Sequence, residues 1–195
     1  MNDSFINNGT EIINRKNQDL TKMTESVKLD IPKYWERDYI NARLNDIQNG
    51  QHRMLFFLLW RSGIRITEAL SIKKSDLDFQ NYIMTVRWLK SRKYLVRKVP
   101  MHPTLKEVLQ AYVGSLKADD KLFPFTRQRA WQLSKQYFEG SPHQFRHSFA
   151  VNWLRCGCDI FILSRILGHS DIRTTQEYLK IVPIEQGKEL LKVEF

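Results

Sequence analysis

A chain of 195 residues, 42% of them hydrophobic, carries enough apolar material for one domain with a real core and too much for a disordered polymer. Its formal net charge of +10 and isoelectric point of about 9.7 favour a polyanionic partner, most often nucleic acid. The longest apolar run, Met54 to Trp60, falls far short of the about 20 residues of a membrane span, and the N-terminus lacks the basic and apolar regions of a secretory signal. The expected place of work is therefore the cytoplasm or the nucleoid, with no membrane partner.

Residues 1–31 are polar, rich in Asn, Asp and Lys, and read as a flexible N-terminal tail. Pro32 marks the start of the ordered part. Tyr34 to Ile47 fits a helix with Trp35, Tyr39 and Leu44 facing inward. Gln51 to Ser62 is apolar almost all round, which predicts a buried helix, and Gly63 is placed to end it as a left-handed cap. A second helix is expected over Ile66 to Ile72.

The period then changes. Tyr82 to Trp88 and Tyr94 to Met101 alternate around β-branched and aromatic residues, joined by Lys90-Ser91-Arg92-Lys93. This predicts an antiparallel hairpin with a basic tip, with Leu77 and Phe79 as material for a third strand. Between Met84 and Met101 the charged residues Arg87, Lys90, Arg92, Lys93, Arg97 and Lys98 are all basic, a stripe suited to DNA phosphates.

His102-Pro103-Thr104 opens a helix with the stripe Leu105, Val108, Leu109, Tyr112, and Lys117 to Lys121 is a solvated turn. Thr126 to Phe138 predicts a helix closed by Gly140. Ser141-Pro142-His143-Gln144 has the form of a capping box, opening a helix with Phe145, Phe149, Ala150 and Trp153 inward. Cys156 and Cys158 flank Gly157 at its end, too close together for a relaxed disulfide or a usual zinc knuckle. Asp159 caps a helix over Ile160 to Leu167, which Gly168 ends. Tyr178 sits on a following helical turn, and Ile184 to Lys192 predicts a short C-terminal helix. The fold class expected is mainly α with a small antiparallel β-sheet (α+β).

Three groups of residues can carry chemistry. His143 and Arg146 share one face at a helix N-terminus, where free N–H groups favour an anion. Leu167-Gly168-His169 fixes a histidine at a turn, nine residues before Tyr178. Upstream, Arg65 follows a glycine turn after a buried helix, and Glu68 lies three residues on, where it can hold the guanidinium. Taken singly, each has an ordinary structural explanation: an amphipathic surface, a half-buried tyrosine, an i, i+3 ion pair.

Their order is far more specific. Gly63-Ile64-Arg65-Ile66-Thr67-Glu68, a hairpin lysine, His143-Gln144-Phe145-Arg146, Leu167-Gly168-His169 and Tyr178 together resemble the catalytic domain of the tyrosine recombinases, the family of phage integrases and Xer recombinases. The resemblance covers about residues 32 to 180 and implies the tyrosine recombinase catalytic-domain fold over residues 32–182. It also implies that Tyr178 attacks a scissile DNA phosphate and forms a 3′-phosphotyrosine. Arg65 and Arg146 would hold the non-bridging oxygens. His169 would donate a further hydrogen bond, and His143 would handle the tyrosine's proton. Glu68 would orient the site from behind. A hairpin lysine would protonate the leaving 5′-oxygen: Lys90 ends the first strand, and Lys93 is the second candidate. No metal and no cofactor is implied.

The hairpin departs from the family's usual form. It lacks a turn glycine, and counting back from Pro100 its loop is expected to be long. The residues before Pro32 are too few for the family's usual core-binding domain. Residues 183–195 are placed to be exchanged between protomers. The implied partners are double-stranded DNA recombination sites and three further copies of the chain, a homo-tetramer on DNA that is monomer or dimer when free. A type IB topoisomerase-like enzyme would use similar residues, but its pattern fits Leu167-Gly168-His169 less well. A DNA-binding relic is disfavoured by the complete residue set.

Overall fold

A computed structural model describes residues 32–90 and 93–181. The side chains of residues 88–94 fall outside that description, as do residues 1–31 and 182–195, where the expected tail and C-terminal helix lie. The described residues form helices α1 (Arg37–Asp46), α2 (Gly50–Ser62), α3 (Ile66–Ala69), α4 (Pro103–Tyr112), α5 (Arg127–Phe138), α6 (His143–Arg155), α7 (Ile160–Leu167) and α8 (Arg173–Gln176). Between α3 and α4 lies an antiparallel sheet in the order β1 (Leu77–Asp78), β2 (Ile83–Lys90) and β3 (Lys93–Pro100). The mainly helical class with a small sheet is as the sequence predicts.

The core forms where α2 meets α6. Helix α2 buries Met54, Leu55, Phe56, Leu58, Leu59 and Trp60, so its near-continuous apolar run is explained by contact on several sides. Phe56, Phe138 and Phe145 pack ring to ring, with centroids 4.7 to 5.4 Å apart. Each fully buried ring contributes about 2–3 kcal/mol by area. Trp35, expected inside a helix, instead precedes α1 and donates its backbone N–H to Ser148 Oγ of α6 at 2.8 Å. Ile40, Leu44 and Ile47 are the buried residues of this segment. A smaller apolar cluster, Ala150, Val151, Leu163, Leu167 and Tyr178, lies where α6, α7 and the last turn meet.

Helix ends follow local chemistry, with informative departures. Gly63 takes φ 64° and its N–H reaches Leu59 O, the expected left-handed cap. A side chain there would overlap the Phe149 ring, so glycine is required twice over. Helix α3 is shorter than expected, because the Ser71 N–H and hydroxyl both take Glu68 O and turn the chain. At the end of α5 the left-handed residue is Glu139 (φ 59°), not Gly140; the Glu139 carboxylate is held by Arg43 Nη2 at 2.6 Å. Gly140 is small for another reason, since a Cβ there would overlap Gln144 and Trp35. Of the expected capping box at Ser141, the glutamine half is present: Gln144 Oε1 accepts the Ser141 N–H at 2.9 Å. Asp159 caps α7 by accepting the Ile162 N–H at 2.8 Å, and Gly168 ends it at φ 69°.

The hairpin register pairs Met84 with Val99 and continues to Lys90 opposite Lys93. The ladder thus runs as far as the Lys90–Lys93 pair, further along the sequence than the long loop expected would allow. Met84, Val86 and Val99 are buried, whereas Val96 is exposed. Tyr82 precedes the strand at φ 57°, after a turn in which Asp78 Oδ1 accepts the N–H groups of Gln80 and Asn81. Phe79 lies outside the third strand, in the same turn region, and packs against the core.

Candidate active site

Four structural junctions converge here: the α2–α3 turn, the face of β3, the N-terminal half of α6 and the α7–α8 turn. At the first, Arg65 is the residue before α3, and Glu68 reaches back to accept its backbone N–H at 2.7 Å. Glu68 is fully buried. Its two oxygens take a fork from Arg97 of β3, Nη1 to Oε1 at 2.8 Å and Nη2 to Oε2 at 2.9 Å, and Oε1 also accepts Arg65 Nη1 at 3.2 Å. Burial alone would raise the Glu68 pKa. Hydrogen bonds and charge from Arg97, then from Arg65, outweigh it and hold the carboxyl below the usual range.

Arg97 therefore has a different place from the one its basic stripe suggested. Its side chain is 9% exposed, and Nε donates to Ile166 O at the end of α7. It is a structural clamp between β3, α3 and α7, and a buried fork of this kind is not offered to solvent phosphates. Arg87 also has an internal partner, Asp76, although about half of its side chain remains open. Lys98 is exposed on the strand. Lys90 ends β2 opposite Lys93, which begins β3. Arg92 and the side chains of both lysines lie outside the described residues.

Arg146 is the largest fully buried side chain among the described residues. Nη1 donates to Gly63 O at 3.0 Å and Nη2 to Leu167 O at 2.7 Å. Both acceptors belong to helix C-terminal ends, where unpaired carbonyls favour a cation. Burial, then repulsion from Arg65, lowers its pKa to about 10, so it remains charged at neutral pH. Arg65 keeps 36% of its side chain open, facing outward from its Glu68 anchor.

His169 Nδ1 lies 2.8 Å from the Thr175 hydroxyl, and the backbone N–H of His169 donates to Ser164 O. Burial and the cations Arg146 and Arg65 lower its pKa to about 4. It is neutral at pH 7, and in the tautomer whose Nδ1 accepts from the Thr175 hydroxyl the proton sits on Nε2. His143 carries its ring at the surface, and its pKa too is lowered, by partial burial and then by Arg146 and Arg65.

Tyr178 is 4% exposed and sits in a 3-10 turn, Glu177–Lys180, directly after α8. Its hydroxyl lies 2.9 Å from Nδ1 of His147. Burial raises the phenol pKa, and the charges of Arg146 and Arg65 pull the other way. His147 packs edge-on against His143, with centroids 4.5 Å apart. The expected partner of the tyrosine was His143; the ring in contact with its hydroxyl is the one a helical turn further on.

The structure thus brings Arg65, Glu68, Arg146, His169, Tyr178 and His143 into one electrostatic neighbourhood, in which each feels the charge of its neighbours. His147, Thr175 and the clamp role of Arg97 were not anticipated. His147 had a signal in the sequence: it follows His143 by one helical turn and Arg146 by one residue, on the same helix face. Thr175 had none, because a threonine beside a turn is ordinary.

Comparison with known proteins bears on the family and the fold. The model of the phage integrase family matches residues 36–183. The tyrosine recombinase XerA of Thermococcus onnurineus is 34% identical over 171 residues, 77% of this chain and 59% of that protein. The tyrosine recombinase XerD of Staphylococcus haemolyticus is 33% identical over 154 residues, 68% of this chain and 51% of that one. Among solved structures, a XerA recombinase crystal structure superposes with a TM-score of 0.65 at 26% identity, covering 76% of this chain and 58% of that one. The catalytic domain of bacteriophage HP1 integrase gives 0.60 at 24% identity, over 77% of this chain and 88% of that one. The chain spans less than two-thirds of the length of these curated relatives.

Proposed function

Because the chain belongs to the phage integrase family, we propose that it is a site-specific DNA recombinase of integrase or resolvase type, cutting and rejoining strands through a 3′-phosphotyrosine. The observation that carries this reading is a buried tyrosine beside two guanidiniums, each anchored on protein groups. Tyr178 is the nucleophile. Arg65 and Arg146 hold the scissile phosphate and stabilise the charge of its pentacoordinate transition state. His169 donates a further hydrogen bond, and Glu68 keeps Arg65 in place. His143 belongs to the path of the tyrosine's proton. Lys90, or Lys93 beside it in the ladder, protonates the leaving 5′-oxygen. The bond energy is kept in the phosphotyrosine, so rejoining needs no nucleotide. Arg87, Arg92, Lys93 and Lys98 grip the backbone of double-stranded DNA.

The working assembly in this reading is four protomers on two DNA sites, with residues 183–195 exchanged between neighbours, acting at the nucleoid. A structure that shares this fold, the XerH recombinase, is bound to its difH substrate, which supports a DNA site as the partner. The test is incubation with nicked suicide duplexes. The expected result is a covalent protein–DNA adduct, absent in Tyr178→Phe. No adduct on any duplex would overturn the proposal. An adduct without sequence preference, with supercoil relaxation and no strand exchange, would replace it with topoisomerase-like action.

A further inference from the structure

The tyrosine's hydroxyl has one hydrogen-bonding partner recorded among the described residues, and it is a histidine ring nitrogen. From that geometry we infer that His147 is a catalytic residue, the group that takes the Tyr178 proton as the phosphotyrosine bond forms. The inference rests on the reading of Tyr178 as nucleophile.

The placement follows from the helix. His143, Arg146 and His147 occupy positions i, i+3 and i+4 of α6, on the face opposite the buried Phe145. Val151, one turn below His147, packs in the same small cluster as Tyr178, so the tyrosine ring is held apolar-side down with its hydroxyl against Nδ1. The ring centroids are 5.7 Å apart and tilted by 53°, so the two rings are not stacked. His143 lies edge-on to the other side of His147 and makes no recorded hydrogen bond to Tyr178. Arg146, also on this face, is turned away to the carbonyls of Gly63 and Leu167 and cannot accept a proton.

Burial disfavours a positive charge on the ring, as do the neighbouring His143 and Arg146. His147 is therefore neutral at rest and has a lone pair to offer. When the scissile phosphate enters, it adds negative charge to the site and makes the histidine a stronger base. The step then balances. The Tyr178 O–H proton moves to His147 Nδ1, and the Tyr178 Oη–phosphorus bond forms. The phosphorus–O5′ bond breaks, and O5′ takes a proton from the hairpin lysine to leave as a hydroxyl. In rejoining, His147 returns its proton to the departing phenolate. His143 sits where it can pass the proton on to solvent.

The test is single-turnover cleavage of a suicide duplex from pH 6 to 9 by the full chain, comparing wild type with His147→Asn and His147→Ala. Asparagine places an acceptor near the position of Nδ1 without its basicity, so the tyrosine stays docked. General-base assistance is worth about 10²–10⁴-fold. The expected result is a wild-type rate nearly flat with pH and an asparagine variant about 100-fold slower at pH 7, rising tenfold per pH unit as hydroxide replaces the base. The alanine variant should regain rate with added imidazole. DNA binding should be unchanged in both. A wild-type rate and profile in His147→Asn would overturn the inference. So would a uniform loss with an unaltered pH profile and no imidazole rescue, the mark of a structural role. Absence of any adduct in the wild type would instead remove the nucleophile reading and the inference with it.

Discussion

Replacing Glu68 by glutamine keeps the shape of a fully buried side chain and removes only its charge. The carboxylate now accepts four hydrogen bonds, from Arg97 Nη1 and Nη2, Arg65 Nη1 and the Arg65 backbone. A glutamine oxygen can keep those on one side; its amide then points N–H groups at a guanidinium that also donates. Arg97, 9% exposed, is left as a buried cation facing a donor. Removing one partner of a buried pair costs about 3–5 kcal/mol. The retained acceptor and the partial exposure of Arg65 reduce this to about 2–4 kcal/mol. The assay is urea unfolding followed by circular dichroism, for Glu68→Gln, Arg97→Met and the double variant. The partners share one network, so the double variant should fall well short of the sum of the singles. A Glu68→Gln loss below about 1 kcal/mol, or strict additivity, would refute the clamp as the element holding β3, α3 and α7 together.

Three further outcomes follow from the same geometry. Gly63→Ala, with its left-handed backbone and the Phe149 ring in the way, should lower stability by about 2–4 kcal/mol in the same unfolding assay, and Gly50→Ala, in open space, by less than about 1. The folded pKa values of His147 and His169, about 4, lie below the ordinary 6.5, so the unfolded chain binds protons that the folded one refuses. Their contribution is complete above pH 6.5 and is lost as pH falls toward 4, on the order of 2–4 kcal/mol together after allowance for solvent; an unfolding midpoint unchanged from pH 7 to 4.5 would contradict it. DNA affinity should fall steeply with salt, and Lys98→Ala should reduce the log–log slope by about 1 without loss of stability, whereas Arg97→Ala should lose stability first; fluorescence anisotropy across a salt series separates the two.

Long-period features were legible in the chain, and pairings across it were not. The apolar run of α2, the caps at Gly63, Asp159 and Gly168, and the alternation of β2 all arise from local physics, and the structure has them. The stop at Glu139 was missed because a glutamate seldom takes a left-handed backbone, and the adjacent Gly140 is the residue local physics favours there. Arg97 was read with its neighbours as a solvent cation, since nothing in its own strand reveals a carboxylate 29 residues upstream. His147 was legible in principle from its spacing to His143, but a histidine at i+4 gains meaning only when a phenol from another turn is found against it.

The charges at the site close on a simple balance. Arg65, Arg97 and Arg146 bring three positive charges and Glu68 one negative, leaving two positive, because His147 and His169 are neutral and His143 is held toward neutrality. In the proposed reaction a phosphodiester brings one negative charge, and attack by a tyrosine that has lost its proton brings a second. The departing proton stays in the site on His147, so the site as a whole keeps its net charge while the negative charge on the phosphoryl group grows from one to two beside anchored guanidiniums. Stabilisation grows as the reaction proceeds, which is the condition for catalysis rather than mere binding. It also explains why the neighbouring histidines should be kept neutral. An imidazolium in the resting site would add repulsion to three close guanidiniums, and a ring already protonated could not receive the proton whose departure creates the second charge.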